Sequence, residues 1–419
     1  MDEIYLDSNA TTRLDPGVAE AMHQVALMGI ANPASQHRSG RQARQILENS
    51  RECLARHLGC RTDGMLSDQI ILTSGGTEAN NLAVLGLGDP NRHLDDGTQA
   101  SNCRSGITIV SSIEHPSILG AAETIQKSGH NVEFCPVNSD GRLNLGYFSE
   151  RIDRHDFASR RSDLKGCVSL VSVMLANNET GVFQPVKEIV ELCRPRGILV
   201  HTDAVQVLGK VPLSFRELGV DAMTVTAHKI HGPTGIGALV TRSGVLIHPQ
   251  LFGGFQQLGI RPGTESVTLA VGFERAVSIA VSSVANRSAR MLAMRESFEK
   301  QLLQSPAMPK ILGQSCDRLP HTTSIAYPGF DRQALQMALD FAGIACSTGS
   351  ACASGSGQPS HVLKAMGVDP LLINGAVRFS LSVQNTAEEL ERAAAKINFV
   401  VESLFKRKRL TVATSCNTT

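Results

Sequence analysis

Lys229 is the residue through which this chain could do covalent chemistry. It follows an apolar, β-branched run, Met223-Thr224-Val225-Thr226, and the glycines and proline after it cannot extend that run. Such a run suits a short buried strand. A lysine at the end of a buried strand, in a Gly-lined pocket, can shed its proton, because burial disfavours the charged form. It can then act as an amine nucleophile that forms a Schiff base. Most lysines are surface residues that merely end a strand in water, so the neighbouring segments decide the matter.

Five other segments carry chemistry of the same kind. Ser74-Gly75-Gly76-Thr77 opens a helix directly after Gln69–Thr73. Free N–H groups and the positive helix end suit a phosphate there, and Thr77 adds a hydroxyl. The segment lacks the Lys-Ser/Thr of a Walker loop and the full dinucleotide fingerprint. Asp203 follows the apolar stretch Gly197–His201. A carboxylate there needs a cationic or donor partner, which a protonated pyridine nitrogen would be, and an Asp holding that proton turns the ring into an electron sink. Gln206 could donate to a ring oxygen or face a loop. His115, after Ile107–Ser112, could stack on an aromatic ring, transfer protons or be a hydrogen-bonded core histidine. Asn178, after Cys167–Leu175, is a donor near the ring or a turn residue. Arg378 could grip a carboxylate bidentately or form a surface ion pair. A phosphate cradle, a strand-end Asp, a stacking His and a Schiff-base Lys together describe one cofactor, pyridoxal 5′-phosphate.

The elements that must position these residues are apolar strands alternating with helices, which indicates a mostly parallel sheet. Ligands of such sheets sit outside the carboxyl ends of the strands. A helix capped by Asp15 with Pro16 at its first position precedes the alternation, and an amphipathic helix spans Ser39–Leu58. Two polar stretches, Asp89–Gly106 and Asp153–Lys165, read as surface insertions. Long helices at Ser266–Val284 and Arg287–Leu303 lead to a strand at Thr323–Tyr327, a helix at Asp331–Phe341, a Gly/Ser/Ala-rich loop at Ser347–Ser360, a strand at Ala376–Leu381 and a closing helix from Ala387. The expected class is therefore α/β, with a mostly parallel central sheet flanked by helices and a smaller α+β domain. The expected division is a large cofactor-binding domain over 15–262, a small domain from 1–14 and 263–405, and a polar, disordered tail over 406–419.

At 419 residues the chain exceeds what one hydrophobic core holds. A net charge of +1 gives no bulk field for nucleic acid or a membrane surface. No apolar run is long enough to span a bilayer, and the acidic N-terminus lacks signal or transit character, so a cytoplasmic protein is expected. Ten cysteines occur without a C-x-x-C pair. Their placement in apolar runs, as at Cys167 and Cys193, predicts mostly buried, reduced thiols and no metal site.

The segments YLDSNATT, TSGGTEANNLA, IEHPS, NNETG, HTDAVQ, TAHKIHGPTGIGAL, RPGTE and STGSACASGSGQPSHVL resemble, in order, those of NifS/IscS-type cysteine desulfurases. These are class V, fold-type-I pyridoxal-phosphate enzymes. The resemblance implies that Lys229 is the Schiff-base lysine, that Asp203 pairs with the pyridine nitrogen and Gln206 meets the ring oxygen, and that His115 stacks on the ring and moves protons. It implies that Gly76, Thr77, Thr226 and His228 hold the phosphate, with Thr264 supplied by the neighbouring subunit of a homodimer. Asn178, Arg378 and Asn32 would hold the carboxylate of L-cysteine. Cys352, in its Gly/Ser/Ala-rich loop, would be the nucleophile that takes the sulfur as a persulfide, leaving L-alanine, for delivery to an acceptor or scaffold protein in iron–sulfur cluster assembly or tRNA thiolation. Cys346 reads as a small buried residue. The alternative on the same fold is a selenocysteine lyase or another class V lyase or aminotransferase.

Overall fold

The computed structural model describes residues 3–29, 31–88, 105–159, 165–349 and 358–416. The chain opens with β1 (Ile4–Tyr5), α1 (Pro16–Leu27) and α2 (Arg38–His57). It then alternates through β2 (Gln69–Thr73), α3 (Gly76–Gly88), β3 (Ser105–Ser111), α4 (Pro116–Lys127), β4 (Asn131–Cys135), α5 (Leu145–Ser159), β5 (Lys165–Ser172), α6 (Val186–Cys193), β6 (Leu199–Asp203), α7 (Phe215–Leu218), β7 (Ala222–Thr226) and β8 (Gly237–Thr241). Helices α8 (Val267–Val281) and α9 (Val284–Leu302) follow. The remainder comprises β9 (Lys310–Ile311), β10 (Thr322–Ala326), α10 (Arg332–Phe341), β11 (Ile344–Ala345), α11 (His361–Ala365), α12 (Pro370–Ile373), β12 (Ala376–Ser380) and α13 (Ala387–Cys416).

Strands β2 to β8 form one sheet in the order β2-β8-β7-β6-β5-β3-β4. Only β8 runs against its neighbours. The strands carry apolar side chains on both faces because both faces are packed. Ile70, Leu72, Ala238 and Val240 enter one hydrophobic cluster, while the alternate residues Ile71 and Leu239 enter another. A second, smaller body is α+β. Its sheet β12-β10-β9 and the parallel pair β1-β11 pack with α9, α10 and α13 around Phe298, Tyr327, Phe379 and Ile397. This is the α/β architecture with a mostly parallel sheet that the sequence predicts.

Several elements differ from expectation, each for a local reason. β4 is an edge strand with half-exposed residues, so it lacks an apolar signal. β8 was hidden behind the glycine-rich turn after Lys229. Asp153–Ser159 is the end of α5 rather than part of an insertion. Most of the expected insertion Asp89–Gly106 lies outside the described residues. Val267, Ala270, Phe273 and Val277 of α8 pack in the large core, and the chain bends by 70° between α8 and α9. α13 carries helix through the expected disordered tail to Cys416. Cys167 is in a disulfide rather than reduced, whereas Cys193 is a buried free thiol. Among the described residues no single helix is long and apolar enough to cross a membrane.

One glycine controls how closely β8 approaches the turn that follows β2. A Cβ on Gly237 would lie 2.7 Å from the Gly75 carbonyl carbon and 2.9 Å from the Val225 oxygen, both backbone atoms that cannot rotate away. Gly237→Ala should therefore destabilise the fold by about 1–3 kcal/mol, read as a lower urea midpoint. An unchanged midpoint would mean that the turn has room to yield.

Candidate active site

The parallel strands deliver their C-terminal residues to one edge of the sheet. After β2 the chain turns into α3, whose first residues are Gly76 and Thr77. Gly76 sits beside β7 and the segment after β6, since a Cβ there would lie 3.2 Å from Val205 and 3.9 Å from Thr226. Thr77 is exposed. Glu78 accepts the Ser74 N–H at 2.7 Å and pairs with Arg261 at 2.7 Å. Burial raises its carboxyl, but Arg261 and Ser74 outweigh that and hold it below the ordinary value. The pair ties the turn that carries the exposed Thr264 to the helix start. The Thr226 hydroxyl donates to the Ile236 carbonyl at 3.1 Å. His228 lies 3.2 Å from the Thr11 hydroxyl, and burial, with the Lys229 charge, pushes it down to about 4, so its ring is neutral.

Asp203 ends β6 and is 7% exposed. One carboxylate oxygen accepts the Val205 N–H at 2.9 Å and the other accepts Asn80 Nδ2 at 2.7 Å. No ion pair reaches it among the described residues. A buried carboxylate with donors but no cation fits the protonated nitrogen of a pyridine ring. Asn80 also donates to Ser117 at 2.9 Å, and Ser117 lies 2.7 Å from His115 Nδ1. The His115 imidazole caps α4 by accepting the Ser117 N–H. A continuous chain of polar contacts thus fixes His115 relative to Asp203. Gln206 is buried and donates to the carbonyl of Asn9, in the loop between β1 and α1, at 3.1 Å. Lys229 follows β7 in a short 3-10 turn, half-buried, with its ammonium donating to the carbonyls of Asn9 and Ala10.

Arg378 reaches the site from β12 in the smaller body. It is 2% exposed, donates to Asp7 Oδ1 at 2.7 Å and to the Asn178 carbonyl at 2.9 Å, and keeps a buried Nε–H with no hydrogen-bond partner among the described residues. The surface ion pair is thereby replaced by a buried one. Asn32 is elsewhere. It is exposed, accepts the Ala34 N–H at 2.9 Å, and lines a groove of about 960 Å³ with Arg51, Phe255, Leu258 and Glu265. Cys352 lies outside the described residues. Cys346 is a buried free thiol pushed up to about 12 by burial, which makes it a poor nucleophile.

Four residues that sequence reasoning left without a role shape the site. Asn9 and Asn80 stood inside the quoted motifs but have the types of ordinary turn and helix residues. Glu114 is fully buried. One oxygen accepts the Met174 N–H at 2.7 Å and the other has no hydrogen-bond partner among the described residues. Burial, with the Asp203 charge adding to it, raises its carboxyl well above the ordinary value. Lys210 is fully buried and pushed down to about 8 by burial and by the charges of Lys229 and Arg287. Its signal was a lysine inside an apolar run, Val207-Leu208-Gly209-Lys210-Val211.

Comparison with known proteins places the whole chain in a family. The family described as aminotransferase class-V matches residues 4–393. A cysteine desulfurase of Sinorhizobium fredii is 38% identical over 96% of this chain and 98% of its own length. A protein named cysteine desulfurase IscS, from Dictyoglomus turgidum, is 34% identical over 96% and 95%. Among solved structures, a NifS-like protein superposes with a TM-score of 0.82 at 33% identity, covering 96% of this chain and 99% of that one. A NifS-like protein of Rickettsia africae gives 0.81 at 32%, over 96% and 99%. These matches span nearly the whole chain, and the chain belongs to the class-V aminotransferase family, among its cysteine desulfurases.

Proposed function

We propose that this protein is a pyridoxal 5′-phosphate-dependent cysteine desulfurase, and the observation that carries the reading is the meeting of Lys229, Asp203, His115 and Arg378 at one edge of the sheet. Gly76, Thr77, Thr226 and His228 would hold the phosphate, with Thr264 of a second copy. Asp203 would take the pyridine nitrogen, Gln206 the ring oxygen and Lys229 the aldehyde carbon. The cofactor supplies the electron sink for breaking bonds of a bound amino acid. Arg378 and Asn178, with Asn32, orient the carboxylate of L-cysteine, and His115 and Lys229 hold and move protons. The Cys352 thiolate attacks the substrate sulfur. A new S–S bond forms as the carbon–sulfur bond breaks, and the electron pair of the broken bond goes to the carbon, which takes a proton and leaves as L-alanine. The sulfur is oxidised to the sulfane level as the carbon is reduced. The persulfide then passes to the thiol of an acceptor or scaffold protein, for iron–sulfur cluster assembly or tRNA thiolation in the cytoplasm.

The body built on the seven-stranded sheet is the cofactor-binding unit in this reading, and the smaller body supplies Arg378 and the Cys352 segment. The active form is a homodimer. Phe252 and Phe255 are 87% and 80% exposed, Phe255 lines the groove that holds Asn32, and a second copy on this face would cover them. Thr264 and Asn32 would serve the partner's site from there.

The direct test is to mix the purified, cofactor-loaded protein with L-cysteine and a reductant and to measure alanine and sulfide. Lys229→Ala should lower both by about 10³-fold or more. Borohydride should fix the cofactor to a peptide containing Lys229, and fixation elsewhere would defeat the assignment. Cys352→Ala should keep the cofactor and the spectral shift on adding L-cysteine, yet lose sulfide release by at least about a hundredfold. Wild-type release by that variant would transfer the reading to a lyase that needs no thiol. Co-refolded Lys229→Ala and Thr264→Ala subunits should regain activity above either parent, since both substitutions fall on one composite site. No gain would argue against shared sites.

A further inference from the structure

Lys210 is the buried cation that the chemistry above leaves unused. It follows Gly209 in the turn after β6. Gly209 has a φ of +70°, and a Cβ on it would lie 2.7 Å from the Ala280 Cβ and 3.0 Å from Ile230 Cγ2. The turn is therefore pressed against α8 and against the residue next to Lys229, and Lys210 is carried inward with it. Lys210 is 3% exposed. Its backbone N–H donates to the Val207 carbonyl at 3.0 Å, but among the described residues its ammonium has neither a hydrogen-bond acceptor nor an ion-pair partner. A buried ammonium without an acceptor or a counter-charge is costly. The charges that act on it, those of Lys229 and Arg287, are both positive.

Lys210 lines a cavity of about 60 Å³, and one water needs only about 10–15 Å³ of such space. Val18, Ile230 and Ile279 give the cavity apolar walls, and Arg287 and Asp15 bring the other charges to its lining. Arg287, half-buried near the start of α9, has no ion pair among the described residues either. The first turn of α9 holds no acid, and its N-cap Ser283 makes no side-chain cap bond, so the positive helix end adds to the charge of Arg287. Asp15 is already engaged as the cap of α1, accepting the Gly17 N–H at 2.8 Å. His231, also in the lining, uses both ring nitrogens, with the Arg13 carbonyl at 2.9 Å and the Ser382 hydroxyl at 3.2 Å. Two cations face one carboxylate, and one positive charge is left to balance. We propose that Lys210 and Arg287 bind a small monovalent anion of the halide class in this cavity. A halide accepts hydrogen bonds from any direction and brings the single charge required, whereas a phosphate would bring excess charge and more acceptor oxygens than two side chains can satisfy. The place gives such an ion a structural consequence. Ile230 directly follows Lys229, while Val383 and Gln384, in the same lining, follow the strand β12 that carries Arg378. The bound anion holds the Lys229 turn, the start of α9 and the smaller body together.

The test is to melt the cofactor-loaded protein at neutral pH while sodium gluconate is replaced stepwise by sodium chloride or sodium bromide. Ionic strength stays constant, so general screening does not change, and gluconate is too large for the cavity. An ion that binds only the folded state raises the melting temperature by mass action. Wild type should gain about 1–4 °C at ten times the halide dissociation constant, on a curve that saturates. Lys210→Met keeps an unbranched side chain and removes the charge. It should show no halide dependence, and in gluconate alone it should melt at or above wild type, because an unpaired buried charge is gone. Arg287→Gln should flatten the curve as well, and it decides the matter if Lys210→Met folds poorly. A crystal grown with bromide should give an anomalous peak in the cavity, in contact with Lys210 Nζ. A wild-type melting temperature that ignores halide, equal gains in wild type and Arg287→Gln, or bromide bound only at the surface with water against Lys210 would overturn the inference.

Discussion

Asn9 is 2% exposed and uses every polar group it has. Its side-chain amide donates to the Asn178 carbonyl and to Thr322, both at 3.0 Å, and its side-chain oxygen lies 2.8 Å from His321 Nε2. Its backbone N–H donates to Ser380 at 2.9 Å, and its carbonyl accepts Gln206 and Lys229. These partners come from both bodies of the molecule. An amide buried between two hydrophobic cores costs more than either core can easily absorb unless all its hydrogen bonds are made. The segment from Asp7 to Thr12 must therefore sit in one place, and with it the two bodies and the lysine between them. Charge reinforces the arrangement, because Asp7, next in the same segment, carries the ion pair with Arg378.

The site is also organised by which acids and bases are denied their charge. Burial, with the nearby Asp203 charge, raises the cost of ionising the fully buried Glu114. Asp203 has a donor on each of its oxygens, the Val205 N–H and Asn80 Nδ2. His201 lies two residues before it on β6, between Ser172 at 2.9 Å and Thr224 at 3.0 Å, and burial pushes it down to about 3. It is a neutral cross-strand link that fixes β5, β6 and β7 in register just behind the working residues. On the other side burial, with the charges of Lys229 and Arg287, pushes Lys210 down to about 8.

The strand-end residues were legible in the sequence because each stands after an apolar run whose period and composition are those of a buried parallel strand. β2 and β7 have the expected limits for that reason, and Lys229, Asp203 and His115 could be placed on one edge without knowing any contact. β4 was not legible, since an edge strand buries too little to leave a pattern. The places of Asn9 and Asn80 were not legible either, because their partners lie far along the chain: Asn9 with Thr322, Asn80 with Asp203. Local sequence gives the type of such a residue but not its partner. Asn32 shows the opposite limit. The family resemblance implied a substrate-site role for it, but within a single chain it lines an outer groove.

Sulfur chemistry places a demand on the rest of the molecule, because a persulfide can exchange with any accessible thiolate. Burial answers it at the interior thiols. Cys60, Cys135, Cys193 and Cys346 are all pushed up to about 12, chiefly by desolvation. At neutral pH such a thiol is ionised to about one part in 10⁵, and the thiolate is the reactive form. Cys346 is the informative case, since it lies on the approach to the Cys352 segment and feels the Arg378 charge, yet desolvation and the nearby Asp7 keep it a thiol. The packing that builds the smaller core thus keeps the sulfur that Cys352 would carry from passing to the cysteine six positions before it.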